Sequence, residues 1–417
     1  MIEGFLNYNR GEGMKRSIFG LIAGVIMVAF FAQVLWAEPP VKKSFPEEGG
    51  SKLYSSGVMV GKTFYVAGSG SGFPEGGQPQ TFPDQARQCW KNIERVLQMA
   101  GLGVENIVQC WVMLDNLNNY QAMDDVFGEL FPVNPPARTT LGIAAIPGDN
   151  HIEITVIAYA DLSERKCIKN KESSNKFSQG VIAGNTLYIS GDALQVKGQQ
   201  KSYKEQVKQS IDTAGGILKE AGLDYSNVVW SNVYLDNYSN LGAFNKIYGK
   251  FFNKGSEPAR SNVFVNNFPG NTNVKFACIA TLDKAGRKVI RGAGMKCGPK
   301  ELYNASSSAV WAGDMLYLST QYGSAPGKKT GLEEQIDQVM KSHQDILEKA
   351  GLELKDIVSA NVFLRTINDY KPLNEVYPNY FSAGRPGVRT CFQPYGGNEP
   401  NDVLVKMYFF AARTKTE

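Results

Sequence analysis

Residues 92–102 read NIERVLQMAGL, an amphipathic helical pattern that closes on Ala-Gly-Leu, and this closing tripeptide occurs three times in the chain. The copies begin at Ala100, Ala221 and Ala350, so they are 121 and 129 residues apart. An arginine preceded by Pro-Ala or Gly-Val repeats in step, with spacings of 122 and 129 residues. These arginines are Arg138, Arg260 and Arg389. Two independent landmarks with nearly the same period indicate an internal repeat.

The repeat divides the 417-residue chain into three domains. Their predicted limits are 50–163, 174–284 and 300–414. The stretches 163–173 and 285–300 are charged and contain glycine, so they are predicted to be linkers.

Each repeat shows the same order of local patterns. A hairpin with a Gly-containing turn comes first, followed by an amphipathic helix, a β-branched strand, a second helix that ends in aromatic residues, and two further strands. The β-branched strands are predicted at 107–114, 228–235 and 357–364. The order β-β-α-β-α-β-β predicts an α+β unit with its helices on one face of a sheet.

Composition restricts the function. A hydrophobic share of 43% and a charged share of 20% are typical of a globular protein, and a formal charge of +4 gives little support to nucleic-acid binding. The chain has two histidines and no zinc-ligand spacing, so no metal is expected. His343 lies on the apolar stripe of the first helix of the third repeat and is predicted to pack in the core.

The segment 1–37 stands apart from the repeats. Basic residues at 15–16 precede an apolar run at 18–35, an order typical of a signal peptide. It predicts export to the periplasm or the extracellular space, and the length of the run also allows a retained membrane anchor. Export would place Cys167 and Cys297, which flank the middle repeat, in a compartment where they are able to form a disulfide.

Three segments of the first repeat resemble one known family. The helix NIERVLQMAGL, the segment YQAMDDVFGELF at 120–131 and the segment PPARTTLGIAAIPGDNHIEITVIA at 135–158 resemble the RidA/YjgF family of reactive-intermediate (enamine/imine) deaminases. The resemblance covers nearly all of the chain beyond the first 37 residues and is strongest in the first repeat. It implies a chorismate-mutase-like fold. Family members are typically homotrimers with a site in each subunit cleft, so three copies in one chain imply an intramolecular pseudotrimer and a monomeric chain.

The family's arginine corresponds to the repeated arginine of this chain, and the resemblance implies that it binds substrate at Arg138, Arg260 and Arg389. A guanidinium forms paired hydrogen bonds with a carboxylate, which a 2-imino or 2-enamino acid carries beside its reactive carbon. The alternative is an arginine that is paired with an internal carboxylate of the protein.

The family's second chemical residue is a glutamate in the last strand. It corresponds to Glu153, which would position the attacking water or carry a proton to the leaving ammonia. The same position holds Lys275 and Lys406 in the other repeats, which makes those two sites doubtful; an ion pair at a repeat interface is the alternative role of both lysines. The resemblance therefore predicts one competent site, built on Arg138 and Glu153 with residues of a neighbouring repeat.

Two further family positions are implied to contribute to substrate binding in the first repeat. The family's amino-terminal tyrosine corresponds to Tyr54, Phe177 and Ser306 in the three repeats. The family's binding-site glycine corresponds to Gly68, Gly191 and Thr320.

The implied activity is hydrolysis of 2-imino or 2-enamino acids to 2-oxo acids and ammonia without a cofactor, as in a 2-iminobutanoate/2-iminopropanoate deaminase. The alternative is a protein that binds small carboxylates without turnover, or a chaperone-like interaction protein with degenerate sites. The expected ligand is a small carboxylate-bearing imine, enamine or 2-oxo acid. A membrane is a partner only if the amino-terminal segment is retained.

Overall fold

The computed structural model of the chain describes residues 38–46, 53–168, 176–193, 201–270, 272–294, 306–324, 328–381, 386–394 and 402–415. The predicted targeting segment 1–37 and Cys297 lie outside these ranges. The disulfide between Cys167 and Cys297 stays a prediction, because Cys297 is not among the described residues. Within the described ranges, no helix has the length and apolar character needed to cross a membrane.

The first repeat forms one six-stranded sheet with two helices. The strands are β1 (Lys42–Phe45), β2 (Gly57–Val60), β3 (Thr63–Ser69), β4 (Ile107–Leu114), β5 (Ala137–Gly142) and β6 (Ile152–Tyr159), and the helices are α1 (Phe82–Met99) and α2 (Tyr120–Leu130). The strand order is β1-β2-β3-β6-β4-β5, in which β4 and β5 are parallel and the other pairs are antiparallel. The parallel pair follows from α2, because parallel neighbours need a crossover connection.

The second and third repeats have the same architecture. The second consists of β7 (Arg165–Ile168), β8 (Gly180–Ala183), β9 (Thr186–Ile189), α3 (Tyr203–Glu220), β10 (Val228–Leu235), α4 (Leu241–Tyr248), β11 (Ala259–Phe264) and β12 (Val274–Thr281). The third consists of β13 (Arg287–Ile290), β14 (Ala309–Ala312), β15 (Met315–Leu318), β16 (Gln321–Tyr322), α5 (Leu332–Ala350), β17 (Ile357–Leu364), α6 (Tyr370–Val376), β18 (Val388–Phe392) and β19 (Val405–Ala412). The sheet orders are β7-β8-β9-β12-β10-β11 and β13-β14-β15-β19-β17-β18, with β16 also on β19. The predicted α+β unit and the limits of its β-branched strand are confirmed in all three repeats.

The two stretches predicted to be linkers are only partly linkers. Strand β7 lies within 163–173 and pairs with β8, and β13 lies within 285–300 and pairs with β14. Each stretch therefore supplies the edge strand of the sheet that follows it. The linker prediction is wrong at these residues because charged side chains are common on edge strands. In β7, for example, Lys166 is exposed while Ile168 is buried in the core.

One face of each sheet packs against the helices of its own repeat. In the third repeat, the His343 side chain of α5 is fully buried against this face. Its Nε2 lies 3.0 Å from the Met407 carbonyl oxygen, and its ring centroid lies 4.2 Å from that of Phe409. Burial lowers the pKa of His343 to about 3, so the imidazole is neutral. The predicted core role of this histidine is confirmed.

The opposite faces of the three sheets meet in one shared core. Trp230 of β10 is fully buried there, and its ring lies 5.0 Å from that of Tyr408 and 5.1 Å from that of Phe410, both on β19. Residues of all three repeats contribute to this core, including Trp111 and Tyr317. The three repeats thus form an intramolecular trimer.

The same hydrogen bond closes each seam of this trimer. A serine near the start of one repeat donates its hydroxyl to the backbone carbonyl three residues before the repeated arginine of another repeat. The pairs are Ser178 with Pro135 (2.6 Å), Ser307 with Glu257 (2.5 Å), and Ser55 with Pro386 (2.8 Å). The repeats therefore contact one another in a closed ring.

Replacing Trp230 with Ala is expected to lower the free energy of unfolding by about 3–5 kcal/mol, the usual cost of truncating a buried aromatic side chain. Because the ring contacts a strand of the next repeat, the loss should shift one cooperative transition rather than release the second repeat alone. Urea unfolding followed by circular dichroism measures both effects. Val133→Ala, at a site that is 71% exposed, is the control and should change stability by less than about 0.5 kcal/mol. A Trp230→Ala variant as stable as this control would contradict the shared core.

Candidate functional site

Each repeated arginine lies at a seam between two repeats. Arg138 is on β5, Arg260 on β11 and Arg389 on β18, and each is at most 3% exposed. We call the surroundings of Arg138 the first cleft, between repeats one and two. The surroundings of Arg260 are the second cleft, between repeats two and three, and those of Arg389 are the third cleft, between repeats three and one.

The second helical segment of each repeat holds the arginine of the same repeat. A side-chain oxygen of Asp or Asn accepts a hydrogen bond from the guanidinium, and an aromatic ring three residues later lies against it. The accepting residues are Asp124 (2.8 Å), Asn245 (2.9 Å) and Asn374 (2.6 Å). The rings are those of Phe127 (4.7 Å), Tyr248 (4.9 Å) and Tyr377 (5.3 Å), measured from the guanidinium carbon to the ring centroid. The guanidiniums are thus oriented before any ligand arrives.

In the third cleft, the first repeat supplies the remaining walls. The Tyr54 ring centroid lies 5.0 Å from the guanidinium carbon of Arg389. The carboxyl group of Glu153 is buried there and accepts a hydrogen bond from the backbone N–H of Cys391. Nη1 of Arg389 is buried and has no hydrogen-bond partner in the part of the chain that the structure describes. A buried donor of this kind is costly unless a ligand satisfies it.

The environment of Glu153 sets its protonation. Burial raises the pKa of Glu153 to about 8, while Arg389 and the Cys391 N–H oppose part of that rise. At neutral pH the group is therefore largely a neutral carboxylic acid. Such a group can donate a proton to a bound molecule and take one back. The neighbouring Cys391 thiol is not a nucleophile, because burial raises its pKa to about 12.

Gly68 on β3 leaves the space that Glu153 occupies. A Cβ at residue 68 would lie 2.2 Å from Oε1 of Glu153 and 3.3 Å from Cγ2 of Thr390. In the second cleft, Thr320 is at the equivalent position, and its hydroxyl donates to that of Ser261 at 3.0 Å. The glycine is thus required by space rather than by backbone conformation.

The structure does not bring Arg138 and Glu153 together. Arg138 faces the second repeat, and Glu153 faces Arg389 of the third repeat. The expectation that one site contains both residues is wrong, because strands β5 and β6 of one repeat border different seams. A cleft takes its arginine from one repeat and its glutamate position from the next.

The first cleft is filled by charged groups of the protein itself. Arg138 donates from Nη1 to Asp124 (2.8 Å), from Nε to Asp192 (3.0 Å) and from Nη2 to the Tyr120 hydroxyl (3.2 Å). Lys275 forms an ion pair with the other oxygen of Asp192. Internal ion pairing, the alternative role of both cations, is therefore what the structure shows here.

The second cleft has a different lining. Lys406 is 2% exposed, and its Nζ lies 5.1 Å from the ring centroid of Phe264 and 5.9 Å from that of Tyr322. Ser306, which replaces the family tyrosine, is buried. The cleft lacks a carboxyl group at the position of Glu153, as the sequence shows.

Asp192 and Tyr370 are not among the residues predicted from the sequence. Tyr370 places its hydroxyl 3.4 Å from Nη2 of Arg389 and its ring 5.4 Å from the guanidinium carbon. For Asp192 the signal is an acidic residue directly after Gly191, in the repeat that carries Lys275. No group of three or more His, Cys, Asp or Glu side chains within the described ranges is arranged to hold a metal ion.

Comparison with known proteins agrees with the resemblance. The profile of the family described as Endoribonuclease L-PSP matches this chain three times, at residues 49–160, 167–282 and 299–412. The chain therefore belongs to this family, the RidA/YjgF proteins.

Individual relatives match single repeats. A 2-iminobutanoate/2-iminopropanoate deaminase of Capra hircus is 35% identical over 107 residues, which are 25% of this chain and 78% of that protein. A RutC family protein of Saccharolobus solfataricus is also 35% identical over 107 residues, or 25% of this chain and 85% of that protein. The solved structure of a chorismatase, 12% identical, covers 74% of this chain and 94% of its own with a TM-score of 0.50, so it shares the fold.

Replacing Glu153 with Gln is expected to remove a pH-dependent part of the stability. The folded pKa of about 8 lies above the ordinary 4.5, so between these values the native state holds a proton that the unfolded chain releases. The stability from Glu153 is therefore present at low pH and is lost as the pH rises towards 8. Relative to the unmodified chain, the variant should gain up to about 1.4 kcal/mol per pH unit between about pH 5 and pH 8.

Urea unfolding at several pH values measures this difference. Glu75→Gln, at an exposed position, is the matched control and should follow the unmodified chain at every pH. Parallel pH profiles for the two variants would show that the Glu153 carboxyl is not held in its neutral form.

Proposed function

We propose that this chain is a hydrolytic deaminase of 2-imino or 2-enamino acids and that the third cleft is its competent site. The observation that carries the proposal is the meeting of Glu153 with Arg389, whose Nη1 is a buried donor without a hydrogen-bond partner in the described ranges. The relatives named as imine deaminases support the reaction class. The other two clefts have a lysine in place of the glutamate, and in this proposal they do not turn over substrate.

Binding begins with the substrate carboxylate. Nη1 of Arg389 would donate to it, while Asn374 and the rings of Tyr54 and Tyr377 fix the plane of the guanidinium. The imine carbon is bonded directly to that carboxylate carbon. Holding the carboxylate therefore holds the reactive carbon beside Glu153, which reduces the entropic cost of reaction.

Glu153 then moves protons in two steps. In the first, it protonates the imine nitrogen, a water oxygen bonds to the carbon, and the surplus water proton returns to the carboxylate. In the second, Glu153 protonates the amine of this carbinolamine, the carbon–nitrogen bond breaks, ammonia leaves, and the hydroxyl proton returns to Glu153 as the 2-oxo acid forms. A pKa of about 8 suits both directions of transfer near neutral pH.

Glu153→Gln is expected to lower the rate of ammonia release about 100-fold or more, since general acid–base catalysis typically contributes that much. Arg389→Gln should cause a loss of similar size, because it removes the guanidinium that binds the substrate carboxylate. The assay uses 2-iminobutanoate generated in place by an amino-acid oxidase. Arg260→Gln, the same change in the second cleft, is the matched control and should keep the rate within about threefold, with folding checked by circular dichroism.

Two results would redirect the proposal. Loss of activity in Arg260→Gln with activity retained in Arg389→Gln would move the site to the second cleft. Saturable binding of 2-oxobutanoate to the unmodified chain, without ammonia release above the buffer rate, would make the protein a carboxylate binder rather than an enzyme.

We further propose that residues 1–37 direct export, because basic residues precede an apolar run, the order found in signal peptides. Expression in a bacterial host followed by cell fractionation and mass spectrometry tests this. A periplasmic or secreted protein that begins near Glu38 is expected. An intact amino terminus in the membrane fraction would indicate a retained anchor instead.

A further inference from the structure

We propose that the first cleft is a carboxylate-binding site that the chain fills with its own Asp192, and that removal of this side chain opens the cleft to a free small monocarboxylate. This inference is independent of the proposed deaminase activity, because the first cleft has Lys275 in place of the glutamate.

The four donors around Asp192 form a complete receptor for one carboxylate. Its Oδ2 accepts from Nε of Arg138 at 3.0 Å and from the hydroxyl of Thr140 at 2.7 Å. Its Oδ1 accepts from the Thr140 backbone N–H at 2.9 Å and from Nζ of Lys275. A guanidinium, an ammonium, an amide and a hydroxyl thus converge on one group that is 5% exposed.

The Asp192 side chain extends into this receptor from a turn of the backbone. Asp192 follows Gly191, whose N–H donates to the Thr139 hydroxyl at 3.0 Å, and a Cβ at residue 191 would lie 2.7 Å from that hydroxyl oxygen. The Asp192 N–H is bound by the Ser190 hydroxyl at 3.0 Å. These backbone contacts fix the turn without the Asp192 side chain. Asp124 and the Tyr120 hydroxyl also hold the Arg138 guanidinium, so it should keep its place when that side chain is removed.

The charges of the cleft also favour an anion. Burial would raise the pKa of Asp192, but Lys275 and Arg138 together hold it below its usual range, so the side chain is an anion in the native protein. Asp124 lies on the other side of the Arg138 guanidinium and is also paired with Lys176 at 2.8 Å. Without Asp192, the buried Arg138 guanidinium would face an unfilled carboxylate position, and the pKa of Lys275, which burial lowers, would lose the group that raises it. This arrangement costs stability until an anion binds.

Two variants leave spaces of different size. Asp192→Ala removes only the carboxylate and leaves a space that fits formate, whereas Asp192→Gly also removes the methylene and leaves a space that fits acetate. Asp192→Asn keeps the volume and is the matched control without a space. Thermal unfolding is measured in formate, acetate and chloride at equal ionic strength.

Both cavity variants should melt below the unmodified chain. Formate should restore Asp192→Ala and acetate should restore Asp192→Gly, each with a saturable rise in Tm, because a ligand that binds only the folded state stabilises it. The unmodified chain and Asp192→Asn should show only the rise in Tm that carboxylate binding in the third cleft produces, which should be smaller than the rise of the matching cavity variant. Since both retain the third cleft, they also report any stabilisation that arises from carboxylate binding there.

The double variant Asp192→Gly with Arg138→Gln should lose the acetate response, because the guanidinium is part of the receptor. Equal shifts in all variants, or no shift beyond that of chloride in a folded Asp192→Gly protein, would overturn the proposal. If a cavity variant does not fold alone, its refolding yield becomes the measurement. Recovery in acetate or formate but not in chloride supports the proposal, and equal failure in all three salts contradicts it.

Discussion

A sheet that is apolar on both faces must be covered on both faces, and this requirement organises the whole molecule. Strands β4 and β10 are buried along their full length, and β17 along nearly all of its length. The helices of a repeat cover one face of its sheet only. The other face is covered by the sheets of the neighbouring repeats, so three repeats close around one core. The clefts exist because this closure creates three seams.

A single chain allows the three seams to differ. In a homotrimer every seam contains the same residues, whereas here each cleft has its own set on equivalent backbone positions. The third pairs an arginine with a carboxyl group, the first binds an internal carboxylate, and the second surrounds a lysine with aromatic rings. The arrangement in the first cleft suits a structural contact, because a buried ion pair is tolerated only when its hydrogen bonds are fully formed.

The sequence predicts what depends on local pattern and on matched positions. The period of the repeat, the middle strands and the core position of His343 follow from hydrophobic spacing, and the structure confirms them. The edge strands at 165–168 and 287–290 are missed because they are short and contain charged residues, a composition also typical of linkers. The partner of Glu153 is also missed, because the arginine that faces it lies 236 residues away and is set by how the repeats close. Asp192 is missed because its role depends on Lys275, 83 residues later in the same repeat, and on Arg138 across the seam.

Charge balance explains why one cleft suits a ligand and another does not. In the first cleft the positive charges of Arg138 and Lys275 are balanced by Asp124 and Asp192, so the cleft is neutral without any ligand. In the third cleft the counterpart of Asp124 is the neutral Asn374, and the high pKa of Glu153 keeps that carboxyl largely uncharged at neutral pH. Arg389 therefore retains an excess positive charge at a buried site. An anionic substrate would neutralise this charge, whereas an anion entering the first cleft would have to displace one that is already bound.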